Sequence, residues 1–122
     1  MRSLLKLRDL WAAAVKNRDF PKILSVYNSK NIIFKGTLSS EVQYNMKGVE
    51  KYFRALLKKG TVTTVTFKNS KIVKLGDKYV ESGDYNFSFS DQKGLLQANY
   101  QFIYEMSDGY PKITSHFSSS KH

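Results

Sequence analysis

The 122-residue sequence has no cysteine, two histidines and two prolines. Without cysteine it can form no disulfide, thiolate zinc site, iron–sulfur cluster or thiol nucleophile, and two histidines leave it poor in transition-metal ligands. No resident metal or cofactor is expected. Long apolar runs are missing as well. None approaches the roughly 20 residues that span a bilayer, and charge interrupts the opening Met1-Arg2-Ser3-Leu4-Leu5-Lys6-Leu7-Arg8-Asp9 too early for a secretory signal. The composition reads as a soluble cytoplasmic protein with no membrane partner. A chain of this length can bury about two thirds of its unfolded surface in one core, so one domain over 1–122 is expected.

Acidic residues are also scarce: 20 Lys+Arg stand against 10 Asp+Glu, for a net charge of +10. The excess is N-terminal, with 16 basic and 4 acidic residues in 1–74 against 4 and 6 in 75–122. Such a field favours acidic partners or phosphate backbones. Yet the cations are dispersed, Lys58-Lys59 being the one adjacent pair, and no arginine-rich run or aromatic RNA-binding signature accompanies them. A solvated basic surface is the simpler reading. Binding of acidic partners or nucleic acid through the basic N-terminal half is a weaker third function, with nucleic acid the less expected of the two.

Helical spacing governs the first half of the chain. Leu4, Leu7, Trp11, Ala14 and Val15 make one apolar stripe up to Arg18, with Ser3 as expected N-cap. Asp19 and Pro21 open a short second helix carrying Phe20, Ile23, Leu24 and Tyr27. Ile32-Ile33-Phe34 is a short β-type run, and 36–45 reads as a polar loop. A third helix follows, with Met46, Val49, Phe53, Leu56 and Leu57 on one side, Lys47, Glu50, Lys51, Arg54 and Lys58 on the other, and Gly60 as its stop.

From Thr61 onward the period changes to that of strands. Thr61 to Leu75, Tyr79 to Phe89, Leu96 to Met106 and Pro111 to about Ser119 read as strands, separated by turns at Gly76-Asp77, 91–94 and Ser107-Asp108-Gly109. In the third of these Ala98, Tyr100, Phe102 and Tyr104 alternate with Gln97, Asn99, Gln101 and Glu105. In the fourth, the alternation sets Lys112, Thr114, His116 and Ser118 opposite Ile113, Ser115 and Phe117, and 118–122 reads as a frayed tail. Helices followed by an antiparallel meander predict an α+β fold.

Several local motifs occur in one order. Trp11, Asp19 and Tyr27 mark the helical part, followed by Thr37-Leu38-Ser39-Ser40 and Tyr52-Phe53. Ser82-Gly83-Asp84-Tyr85-Asn86-Phe87, Ala98-Asn99-Tyr100-Gln101-Phe102 and Ile113-Thr114-Ser115-His116-Phe117-Ser118-Ser119 follow on the strands. Together they resemble the nuclear transport factor two-like superfamily, in the subgroup related to the calcium/calmodulin-dependent protein kinase II association domain and to SnoaL-like proteins. The resemblance implies three helices packed in a cone against a strongly curved antiparallel sheet, of cystatin-like type. It also implies a ligand-binding or self-assembling module. No glycine-rich ATP loop or catalytic loop accompanies it, so kinase activity is not implied.

The resemblance has departures. Members usually carry arginine where Asn99 stands and another near Gln43; Pro111 replaces an expected tryptophan and Phe117 the second residue of a His-His pair. Neutral amides at 43 and 99 imply a preference for a small polar or aromatic molecule over a carboxylate. The resemblance places Asn99 and Gln101 in a cavity together with Gln43, Tyr85 and His116, although the same polar strand face would be ordinary if it met water. His116 is the best candidate for an acid or base, in a SnoaL-like isomerase, cyclase or hydrolase, and is equally readable as a buried structural histidine. Glu81 and Asp84, close along one strand, are a weak match to the carboxylate base of isomerase or dehydratase relatives, and Asp84, beside the Gly83 bulge candidate, reads as a surface residue. The chain holds 8 Tyr and 8 Phe, more aromatic surface than three short helices readily cover. Tyr100, Phe102 and Tyr104 therefore either pack against the helices or, as interface candidates, form the sheet face of a homodimer.

Overall fold

A computed structural model describes residues 2–90 and 95–121. The elements run α1 (Arg2–Lys16), α2 (Phe20–Ser25), β1 (Ile33–Lys35), α3 (Met46–Leu57), β2 (Val62–Leu75), β3 (Lys78–Phe89), β4 (Leu95–Ser107) and β5 (Tyr110–Ser120). The expected turn at 91–94 lies outside the described residues. The strands form one curved sheet in the order β1-β5-β4-β3-β2, and the three helices pack on its inner face. The architecture is α+β, as the periodicity predicts.

Each helix buries the stripe read from its spacing: Leu4, Trp11, Ala14 and Val15 on α1, Ile23 on α2, and Val49, Phe53, Leu56 and Leu57 on α3. Helix α1 begins at Arg2, so Ser3 lies inside it and is not its cap. Asp19 caps α2 by accepting from the Lys22 amide at 3.2 Å, and Pro21 falls where a missing N–H leaves no bond unmade. A cap not read from the sequence, Asn45, accepts from the Gly48 amide at 2.9 Å and starts α3.

Strands β2 to β5 form the expected antiparallel meander, but β1 joins β5 in parallel at the far edge, pairing Phe34 with His116. The 36–43 segment is tied at its base, since Phe34 and Gln43 exchange both backbone bonds, at 2.9 and 2.7 Å. Two irregularities set the side chains that follow. On β2, Asn69 and Ser70 form a bulge facing Gly83; Asn69 has φ 57°, and a Cβ on Gly83 would come within 2.9 Å of the Ser70 backbone. On β5, Thr114 is the extra residue between the pairs Tyr104–Ile113 and Ile103–Ser115. This corrects the simple alternation, because Ile113, His116 and Ser118 all face inward. Of the expected tail 118–122, residues 118–121 are described and are tied to β4; His122 lies outside the described residues. Strand β5 continues to Ser120, and the Lys121 amide donates to the Gln97 carbonyl at 2.8 Å.

Candidate functional site

Trp11 is fully buried at the centre of the inner face, within 6.4 Å of the rings of Phe53, Phe67, Tyr85, Phe87, Phe102 and His116. Its indole N–H donates to the Tyr27 hydroxyl at 3.1 Å. The Tyr27 hydroxyl meets Nδ1 of His116 at 2.9 Å, and the Tyr85 hydroxyl meets Nε2 at 3.0 Å. Tyr85 also bonds Ser118 and Thr37, whose hydroxyls lie 2.8 Å apart, and Thr37 bonds Tyr52. One assignment uses every proton of this chain. Trp11 donates to Tyr27, Tyr27 to Nδ1, and the Nε2–H of a neutral imidazole to Tyr85, which donates onward to the hydroxyl pair. Burial without a carboxylate partner pushes the His116 pKa down to about 3, so the ring is neutral at physiological pH.

A second polar cluster sits beside the first. Glu81 is fully buried, and its carboxylate accepts from the Tyr104 hydroxyl at 2.7 Å, from Arg8 at 2.8 Å and from the Tyr100 hydroxyl. Ser70, aimed inward by the β2 bulge, lies 2.7 Å from the Tyr100 oxygen and completes that hydroxyl's bonding. The Arg8 guanidinium rests 4.2 Å over the Phe67 ring, and its Nε is buried without a hydrogen-bond partner. Burial first, and then the adjacent carboxylate, push the Tyr100 and Tyr104 hydroxyls well above the usual phenol range. Both phenols therefore remain donors to the carboxylate. The burial of Glu81 is not read from the sequence, although the signal is present: it shares the odd-numbered face of Tyr85, Phe87 and Phe89. Asp84 lies on the opposite face, bonded to Asn69 and Lys121, which hold its pKa down.

The five pocket candidates do not converge. Tyr85 and His116 are hydrogen-bonded to each other in the core, whereas Asn99 and Gln101 are exposed on the outer face. The two-residue period of β4 requires this separation: with Ala98, Tyr100, Phe102 and Tyr104 inward, the odd residues point out. The same period corrects the interface candidates, since Tyr100, Phe102 and Tyr104 are 3%, 0% and 0% exposed within the chain's own core. Gln43 lies elsewhere again, in a groove of about 590 Å³ between the 36–43 segment and α3. In this groove Gly36 passes directly under Tyr52, where a Cβ would come within 2.1 Å of the ring, and the Tyr52 hydroxyl accepts from the Leu38 amide at 3.3 Å.

The outer face of the sheet carries an arrangement that no single strand reveals. Strand register aligns Val73, Val80, Ile103, Ser115 and Ile33 in one row across all five strands. Four of the five are aliphatic, and Val73 and Ile33 remain 42% and 43% exposed. The next row holds Lys71, Ser82, Gln101, Phe117 and Lys35, so the aliphatic band is bordered by polar groups with one further aromatic ring.

The profile of the calcium/calmodulin dependent protein kinase II association domain matches residues 1–122. The chain belongs to that family. A solved Xanthomonas campestris structure assigned to the same association domain superposes with a TM-score of 0.87 at 29% identity, covering 98% of this chain and 86% of that one. A nuclear transport factor two-like protein of unknown function from Pseudomonas putida KT2440 gives a TM-score of 0.83 at 14% identity, over 97% and 84% of the two chains. A Streptomyces avermitilis member of the same fold family, thought to be a dehydratase, gives 0.82 at 10% identity over 99% and 95%. These last two show the fold alone. No curated protein matches the sequence. The association-domain chain described here is a non-kinase module, and among the described residues it has no helix long and apolar enough to cross a membrane.

Proposed function

We propose that this association-domain chain is an assembly module that pairs with a second copy of itself through the outer face of its sheet. The observation that carries this reading is the aliphatic row Val73, Val80 and Ile103, resumed at Ile33 beyond Ser115 of β5 and bordered by Phe117. A self-complementary patch of this kind suits a two-fold interface, in which the same surface is used by both copies. Removing the exposed remainder of each aliphatic side chain from water contributes on the order of 1 kcal/mol. Asn99 and Gln101 lie on the same face and would supply polar contacts beside the band. A SnoaL-like catalytic role through His116 has less support, because the ring is 2% exposed and both its nitrogens are already bonded.

Size-exclusion chromatography with light scattering at micromolar concentration tests the proposal. The expected mass is a dimer or larger. Val73→Glu and Ile103→Glu should each shift it toward monomer without loss of helical and sheet circular dichroism. A monomeric wild type, or an oligomer unaffected by Val73→Glu, overturns it. Val73 is exposed, so that variant is the one least able to fail by misfolding.

A further inference from the structure

Helix α3 carries the densest charge of the chain on a face the core does not use. Between residues 46 and 59 stand Lys47, Lys51, Arg54, Lys58 and Lys59 against the single carboxylate Glu50. Glu50 is taken up by Arg54, at 2.7 Å, and none of Lys47, Lys51 and Lys58 forms an ion pair with a described residue. Two depressions flank this surface and meet at Gln43, Gly48, Lys51 and Ala55. The first is the 590 Å³ groove against the 36–43 segment; the second, about 840 Å³, runs along Lys47, Arg54 and Lys58. The shared floor is shallow and partly apolar, with exposed Ala55 and, beyond it, Leu38 at 46% exposure. Gly48 allows it to be continuous, since a Cβ there would lie 2.2 Å from the Gln43 amide oxygen.

We infer that the α3 surface is a docking groove for an acidic peptide segment, its carboxylates placed along Lys47, Lys51 and Lys58 and one apolar side chain seated between Ala55 and Leu38. The charge complementarity is local: Lys47, Lys51, Arg54, Lys58 and Lys59 line the two depressions against two carboxylates, Glu41 in the first and Glu50 in the second, and Glu50 is paired with Arg54. An extended peptide fits this chemistry better than a nucleic acid. Single-stranded nucleic acid draws much of its affinity from bases stacked on open aromatic faces. The groove's one tyrosine, Tyr52, is packed edge-on against Phe34 at 5.2 Å and covered by Gly36, which leaves no such platform. This inference uses a different surface from the self-association proposal, so either can fail without the other.

Fluorescence anisotropy with a short labelled Glu-rich peptide containing one leucine tests it on the full chain. Binding should weaken with added salt, and Lys51→Glu should weaken it by about tenfold or more. Ala55→Trp, which fills the apolar seat without altering charge, should also weaken it. Lys71→Glu, an equal charge change on β2, should leave it within about twofold. Circular dichroism of each variant confirms that it is folded; all three sites are exposed. Three outcomes overturn the inference: no binding of the peptide even at low salt, equal loss in Lys71→Glu and Lys51→Glu, or tighter binding of a single-stranded oligonucleotide of the same formal charge.

Discussion

Tyr85 and Tyr100 stack with ring centroids 4.8 Å apart and planes within 2° of parallel, and their hydroxyls belong to different buried networks. Tyr85 bonds the neutral His116, while Tyr100 bonds the Glu81 carboxylate. The stack is thus the apolar partition between a neutral polar chain and a charged cluster on one sheet face. Each cluster has a distinct response to perturbation.

The charged cluster should be intolerant of losing its carboxylate. Glu81→Ala leaves two buried phenols and the Arg8 guanidinium without their acceptor, and should cost ~3–5 kcal/mol of stability. Glu81→Gln keeps a carbonyl acceptor and should cost less. Urea unfolding of both variants checks the order; equal costs would mean that a neutral acceptor recovers nothing and the charge carries the whole effect.

The neutral cluster should make the fold sensitive to acid. Burial lowers the His116 pKa from its unfolded value of 6.5 to about 3. Between these values the unfolded chain takes up a proton that the folded chain refuses, so stability present above pH 6.5 is lost as pH falls, by ~1.4 kcal/mol per unit. Going from pH 7 to pH 5 should therefore cost about 2 kcal/mol more in wild type than in His116→Gln. Parallel urea titrations at the two pH values provide the comparison.

Two glycines beside the α3 groove should differ in their tolerance of a side chain. A Cβ at Gly36 meets the ring of Tyr52, which is held by Phe34 and Leu38, so Gly36→Ala should destabilise by about 1–3 kcal/mol. At Gly48 the obstacle is chiefly the flexible end of Gln43. Gly48→Ala gains up to ~1 kcal/mol of helix propensity and should come out near neutral. Thermal unfolding of the pair distinguishes them.

Asn99→Arg should create no carboxylate site. The new guanidinium would project from the outer face, away from Tyr85 and His116. Calorimetry with small carboxylic acids should give no heat above that of wild type, with stability within about 0.5 kcal/mol. Measurable carboxylate binding in the variant would contradict the outward placement.

The helices and the meander were legible because their apolar residues repeat at 3.6 and 2.0, and the motif order pointed to the right family. The site was less legible for reasons visible at single residues. His116 faces inward only because Thr114 adds one residue to β5, and an inserted residue leaves no mark in an alternation of Thr, Ser and His. The parallel pairing of β1 depends on Phe34 meeting His116 across 82 residues of chain, a relation no local period contains. Glu81 was readable by parity, but a carboxylate on an aromatic face is improbable until Arg8 and two tyrosines are seen around it. The aliphatic row on the outer face takes one residue from each of several strands, so register alone creates it.

The bulge at Asn69 and Ser70 also governs how the outermost strand meets other chains. Strand β2 is 14 residues long and forms one edge of the sheet, a length that would ordinarily offer a template for strand addition and fibrous growth. The kink at 69–70 divides it into two short stretches, and Lys68, Lys71 and Lys74 place like charges along the exposed rim. A second copy approaching edge to edge meets a bent, cationic border, whereas one approaching face to face meets the aliphatic band. In the face-to-face pairing proposed above, the insertion that turns Ser70 inward toward Tyr100 would also favour closed, countable assemblies over open-ended ones.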